Sequence, residues 1–256
     1  MLPNRKIIFT LIVTAGIIMS SLAFSGCSEE DKIVVGTSAD FAPFEYKEGG
    51  EIVGFDIELI KAILKDQGYE KIEVRDMDFG TLIGAVQQGK IDVVAAAMTI
   101  TEEREQKIDF SDPYYEADQS IIVRQNSEIT LEDPQDLEDY VVGAQTGTTG
   151  AGWIEENLVN NGTMSEDDFE RYSKYTLALQ DLLNGRIDAI VLDKPVAQAF
   201  ERNEDVKIIE TIITGEQYGF GVKEGKDKLL DNINEGLENI MDTEEWDKLV
   251  NKYFKE

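Results

Sequence analysis

Histidine is absent from all 256 residues, and cysteine occurs once, as Cys27. The first absence forbids Ser-His-Asp and Cys-His catalytic constellations and removes the commonest nitrogen ligand for zinc, copper or iron. The second leaves no internal disulfide and no thiolate cluster. Basic residues are also scarce, with 24 Lys and Arg against 52 Asp and Glu, a formal charge of −28. A nucleic-acid binder needs basic surface to displace the counterions of a phosphate backbone, so that class is excluded. The remaining composition, 30% charged and 42% hydrophobic, is that of a globular chain of one large or two small domains.

The long apolar run lies at the N-terminus. Arg5 and Lys6 precede an apolar stretch over residues 7–24, which stops at Ser25-Gly26-Cys27. A basic start, an apolar middle and small residues read as a secretory signal rather than a bare membrane span. The tetrad Phe24-Ser25-Gly26-Cys27 resembles a bacterial lipobox, with Phe24 in place of the usual Leu. That resemblance implies a signal peptide over 1–26, cleavage before Cys27, a diacylglycerol thioether on its sulfur, and a short acidic tether over 27–31.

From residue 32 the pattern is that of an α/β protein. Strands are predicted over 33–35, 71–75, 91–97, 140–144 and 187–192, and helices over 55–67, 81–88, 151–160 and 176–184, three of them stopped by Gly68, Gly89 and Gly185. Two more helices are predicted between residues 226 and 254, with Thr243 able to cap the second. Alternation of this kind predicts parallel sheets flanked by helices. An internal echo adds a second level, since Gly89-Lys90-Ile91-Asp92-Val93-Val94 is matched by Gly185-Arg186-Ile187-Asp188-Ala189-Ile190, and Val34-Val35-Gly36 by Val141-Val142-Gly143. The echo predicts two lobes of similar topology, and a ligand between them, beyond the carboxyl ends of the strands.

The strand-end loops hold complementary groups for a zwitterion. Arg104 and the Gly147-Thr148-Thr149 turn suit a carboxylate; Asp193, the Thr99 hydroxyl and the Ala97 carbonyl suit an ammonium. Phe41 and Phe79 could sandwich the side chain between them. Each has a plainer alternative. Arg104 could be a surface charge on a capped helix, Asp193 a cap for the helix opening at Pro195, the 145–150 segment an ordinary turn, and the two phenylalanines core residues.

Seven motifs in order, Val35 through Tyr46, Gly54-Phe55-Asp56, Met77-Asp78-Phe79, Thr99 through Arg104, Asp109 through Tyr115, Val142 through Thr149, and Tyr218-Gly219, resemble family 3 of the bacterial extracellular solute-binding proteins. These are receptors that deliver polar amino acids to ABC importers. The resemblance implies a two-lobed periplasmic-binding-protein-like fold of type II, with lobe 1 over 32–115 and 220–256, lobe 2 over 120–214, two crossover strands as hinge, and the ligand in the interlobe cleft. Carried over by residue, Arg104, Thr149 and Thr148 would take the ligand carboxylate and Asp193, Thr99 and Ala97 its ammonium. Phe41, Phe79, Ser38 and Gln145 would line the side-chain pocket. Ala97 replaces a frequent glycine, and Ser38 replaces an aspartate common in relatives that take Lys, Arg or His. The second departure favours a neutral, glutamine-like side chain marginally over a cationic one, with Asp40 and Glu45 nearby in sequence on the other side of the balance.

The resulting expectation is a monomeric, lipid-anchored receptor on the extracytoplasmic face of the membrane, with an amino acid and the permease subunits as partners, and no enzyme activity, cofactor, metal or nucleic acid. The alternatives are a cyclohexadienyl or arogenate dehydratase on the same scaffold, and a sensory ligand-binding module.

Overall fold

The computed structural model describes residues 32–254; the expected signal peptide, Cys27 and tether lie outside the described residues. The β-branched run after residue 31 forms β1 (Lys32–Thr37). A small antiparallel sheet follows, made of β2 (Asp40–Phe41), β3 (Glu45–Glu48) and β4 (Glu51–Val53), with Gly49 and Gly50 both at positive φ in its second turn. The sequence reading missed this unit, although Gly-Gly between two short runs is a hairpin signal.

The chain continues through α1 (Phe55–Asp66), β5 (Lys71–Asp76), α2 (Leu82–Gln87), β6 (Val93–Val94), α3 (Glu102–Glu105) and β7 (Asp109–Phe110). The long β8 (Tyr115–Arg124) then leads into β9 (Val142–Gln145), α4 (Thr149–Ile154), β10 (Phe169–Tyr172), α5 (Tyr175–Leu183), β11 (Ala189–Asp193) and α6 (Lys194–Asn203). A still longer β12 (Val206–Tyr218) leads back to β13 (Gly221–Val222), α7 (Asp227–Ile240) and α8 (Glu244–Phe254).

Two five-stranded sheets result, ordered β5-β1-β6-β13-β7 and β10-β9-β11-β8-β12. They are not wholly parallel, as alternation alone predicts. In each, one strand runs against the other four, β13 in the first and β8 in the second, because that strand enters from the other sheet's side of the chain. With β13 matched to β8, the two orders are identical.

The sequence echo is therefore a structural one. Asp92 donates its backbone N–H to Val34 O at 2.7 Å and accepts from Val34 N at its Oδ2 at 2.8 Å. Asp188 repeats both bonds with Val141, at 2.7 and 3.1 Å. Each aspartate thus pins the start of its neighbouring strand, and the strands end over the same gap.

Two of the expected elements differ from the observed ones by more than two residues at an end. The strand expected over 91–97 pairs only at Val93–Val94, after which the backbone turns away and Ala97 adopts a φ of 45°. The helix expected over 151–160 starts at Thr149, because the Thr148 hydroxyl accepts from Ala151 N at 3.2 Å, and loosens into a π-helical turn over Glu155–Val159. The two C-terminal helices pack on α1 in the first lobe. Phe55 meets Trp246, Tyr253 and Phe254 edge-on, and Gly236 lies so close to Ile63 that a Cβ there would sit 2.6 Å from Ile63 Cγ2. Among the described residues no helix is long and apolar enough to cross a membrane.

Candidate ligand-binding site

The carboxyl ends of the two sheets face one cavity between them. All ten residues singled out by the sequence reading line it: Ser38, Phe41, Phe79, Ala97, Thr99, Arg104, Gln145, Thr148, Thr149 and Asp193. Ala96 and Glu45 complete the wall. Both phenylalanines are also core residues of their lobe, so the two readings of Phe41 and Phe79 hold together.

Arg104 is not a surface charge. It is 7% exposed, although Thr101 does cap its helix by accepting from Arg104 N at 3.2 Å. The guanidinium sits 5.5 Å from the centre of the Phe79 ring, with Nη1 donating to Thr99 O at 2.6 Å and Nη2 donating across the cleft to Gly147 O at 3.0 Å. Burial lowers its pKa, while Glu216 and Asp193 act to keep it charged.

Asp193 stands at the N-cap position of α6 but makes no capping bond. Its Oδ2 instead takes a very short hydrogen bond from the Tyr218 hydroxyl. Burial, then the nearby Glu216 charge, push the Asp193 carboxyl up to about 7. Ala97 is held in its left-handed conformation by Asp56, whose Oδ2 accepts from Ala97 N at 2.7 Å and from the Tyr114 hydroxyl at 2.6 Å. A positive φ costs a residue with a Cβ, which accounts for the glycine frequent at this position in the family that the motifs resemble.

Acid dominates the cavity. Asp40 has partners: it takes hydrogen bonds from Ser38 Oγ at 3.1 Å and Thr176 N at 3.4 Å, and lies 3.7 Å from Lys174 Nζ. Glu45 has none. It is fully buried, neither carboxyl oxygen has a hydrogen-bond partner, and the charges that act on it are those of Asp56, Asp40 and Asp193. Burial first, then those like charges, raise its pKa well above the ordinary value.

Gln145 donates to Ser173 O at 2.9 Å and to Ser38 Oγ at 3.5 Å, so it touches both lobes. The Phe41 ring stacks on Tyr175 of the opposite lobe, with centroids 5.5 Å apart. Sequence reasoning assigned no role to Glu216, Tyr218, Tyr175 or Gln119. Only Tyr218-Gly219 carried a signal, as one of the seven motifs. Among the described residues no group of three or more acidic or cysteine side chains is arranged to hold a metal ion.

The comparisons with known proteins agree with this fold. The model of the bacterial extracellular solute-binding proteins, family 3, matches residues 33–256. The arginine-binding extracellular protein ArtP of Bacillus subtilis is 36% identical over 253 residues, covering 95% of this chain and 96% of its own. Among solved structures, an ancestral arginine-binding protein bound to arginine superposes with a TM-score of 0.80 at 40% identity, covering 87% of this chain and 98% of that one. An ancestral arginine-binding protein bound to glutamine does so with a TM-score of 0.80 at 41% identity, covering 88% and 98%.

Proposed function

The chain belongs to family 3 of the bacterial extracellular solute-binding proteins, and on that footing we infer that it captures a cationic L-amino acid, arginine first, for an ABC importer. Glu45 carries this reading. A fully buried carboxyl without a hydrogen-bond partner, surrounded by further acids, stays protonated unless a cation enters beside it. Asp40 suits that part less well, because Ser38 and Thr176 donate hydrogen bonds to it and Lys174 lies 3.7 Å away. In this reading the isolation of Glu45 outweighs the marginal preference for a neutral side chain drawn from Ser38.

In the proposed complex Arg104 and the Thr149 backbone N–H hold the α-carboxylate, with Thr148 beside them, while Asp193, Thr99 and the Ala97 carbonyl receive the α-ammonium. A planar guanidinium suits the space between Phe41 and Phe79 better than a compact ammonium does, with Ser38 and Gln145 at its polar edge. The ligand bridges both lobes, favours the closed state by its differential contacts, and the closed form docks on the permease. The lipid anchor on Cys27 would keep the receptor at the membrane surface, and treatment with a signal peptidase II inhibitor, leaving the precursor mass intact, tests it. We read the site as binding without turnover; conversion of prephenate or arogenate by the purified protein would overturn that.

Glutamine is the second reading. A protonated Glu45 could donate to a side-chain amide, and a structural relative is bound to glutamine. Calorimetric titration of urea-stripped, refolded protein with L-arginine, L-lysine, L-histidine and L-glutamine separates them. Arginine binding tightest, and lost in Glu45→Gln while any glutamine binding persists, supports the cationic reading. Glutamine binding tightest sinks it.

A further inference from the structure

Asp56 stands in the first turn of α1, where an acid ordinarily sits at the surface beside the helix's free N–H groups. This one is fully buried and bonds away from its helix. Its Oδ2 accepts from Ala97 N at 2.7 Å and from the Tyr114 hydroxyl at 2.6 Å. Tyr114 is itself held, its N–H donating to Tyr218 O at 3.0 Å and its ring stacked on Phe220 with centroids 4.5 Å apart. Asp56 lies outside the lining of the cavity, whereas Ala97 belongs to it.

The backbone around Ala97 is anchored on either side. Ala95 N donates to Gly36 O of β1 at 3.0 Å, and Met98 O accepts from Gly219 N, just beyond β12, at 3.1 Å. Between these anchors the chain turns through Ala97 at a φ of 45°, which a residue with a Cβ holds only where its neighbours impose it. The angle φ sets where the following peptide points relative to the N–H, so a return of Ala97 to helical φ would swing its carbonyl by about 100°. Among the described residues no hydrogen bond is made to the Ala97 carbonyl oxygen, while Asp56 takes the N–H. One polar group of Ala97 is satisfied behind the cavity wall, and the other is left to the cavity.

We propose that Asp56 is a positioning residue for the ligand's ammonium: by taking the Ala97 N–H it fixes the left-handed turn and so aims the Ala97 carbonyl, without touching the ligand itself. The proposal rests on the amino-acid reading above. It makes the selection of an α-ammonium depend on a residue at the start of α1.

The test is calorimetric titration of the urea-stripped, refolded protein with L-arginine and with 5-guanidinopentanoic acid, which is arginine without its ammonium. Wild type is compared with Asp56→Leu, Asp56→Asn and Ala97→Gly, and with Asp56→Leu combined with Ala97→Gly. Asp56→Leu keeps the bulk but removes the acceptor, and L-arginine is expected to bind it about tenfold or more weaker. The analogue, with no ammonium to be aimed at, should change by less than about twofold. Asp56→Asn retains an acceptor oxygen and should retain most of the affinity. Ala97→Gly, free to adopt positive φ unaided, should recover part of what Asp56→Leu loses.

Equal losses for the two ligands, or no recovery in the Ala97→Gly background, overturn the positioning role, and the second decides alone if the analogue binds too weakly to titrate. Unchanged L-arginine affinity in Asp56→Leu overturns the proposal and leaves the amino-acid reading standing. Wild type that binds none of L-arginine, L-lysine, L-histidine and L-glutamine overturns that reading and the proposal with it. If Asp56→Leu does not fold, Tyr114→Phe, which releases Asp56 from its second donor, takes its place, with an expected loss of about two- to fivefold for L-arginine alone.

Discussion

Gly147 meets Gly80 across the cleft: a Cβ on Gly147 would sit 3.2 Å from the Gly80 Cα, and one on Gly80 would sit 3.3 Å from the Thr146 carbonyl oxygen. The lobes close glycine against glycine, beside the point where Arg104 donates to Gly147 O. Gly147 also needs its φ of +83°, so Gly80 is the cleaner site to perturb.

Gly80→Val should therefore obstruct closure while leaving each lobe intact. Overpacking of this kind costs about 1–3 kcal/mol, which places the loss of arginine affinity at roughly five- to 150-fold. The thermal midpoint of the ligand-free protein should not fall by a comparable amount. Unchanged affinity by calorimetry would show that the two glycines do not govern closure.

Arg104→Ala and Asp193→Asn each strip a buried ligand charge of its partner. The expected loss is about 3 kcal/mol or more, a hundredfold or more in Kd, with the radius of gyration still that of a folded protein. Near-native affinity in either variant would remove that residue from the ligand site.

Acidity should act in the direction set by the raised carboxyls. Asp56 and Asp193 are both pushed up to about 7, by burial before any other cause, and Glu45 is raised in the same direction. An acid held protonated in the native state and ionised in the unfolded chain stabilises at low pH and withdraws that stability as pH rises through its native value. The ligand-free thermal midpoint should thus fall between about pH 5 and about pH 8, while the upward shift caused by arginine grows over the same interval. A ligand-free midpoint that climbs across that interval would contradict the assignment.

The repeated glycines test the fold separately from the site. A Cβ on Gly36 would lie 2.3 Å from Ile91 Cδ1, and one on Gly143 would lie 2.7 Å from Ile187 Cδ1. Gly36→Ala and Gly143→Ala should each destabilise by about 1–3 kcal/mol in urea unfolding. Ile91→Val, which deletes the colliding methyl, should recover part of the loss in the Gly36→Ala background. No recovery in the double variant would place the strain elsewhere.

The amino-acid order by itself determined the repeated strand-helix units, because periodicity and glycine stops are local. It determined their pairing into two like lobes, because Asp92 and Asp188 stand at the same offset from Ile91 and Ile187 in both copies. Together with the resemblance of seven motifs to a known family, it sufficed to nominate ten of the twelve cavity-lining residues, which sit at or just beyond strand ends. Tertiary structure decided what separation along the chain conceals. The short ladder at Val93–Val94 and the left-handed Ala97 depend on Asp56, 41 residues away, taking the Ala97 N–H. The isolation of Glu45 depends on which neighbours Lys174 reaches, and those are Asp76 at 3.2 Å and Asp40 at 3.7 Å. Glu216 finds its partners 117 and 67 residues back along the chain, Thr99 and Thr149, only where two strands cross between two lobes. Hydrogen bonds and charge pairs act over a few ångströms in space, and no local pattern records which residues folding will bring that close.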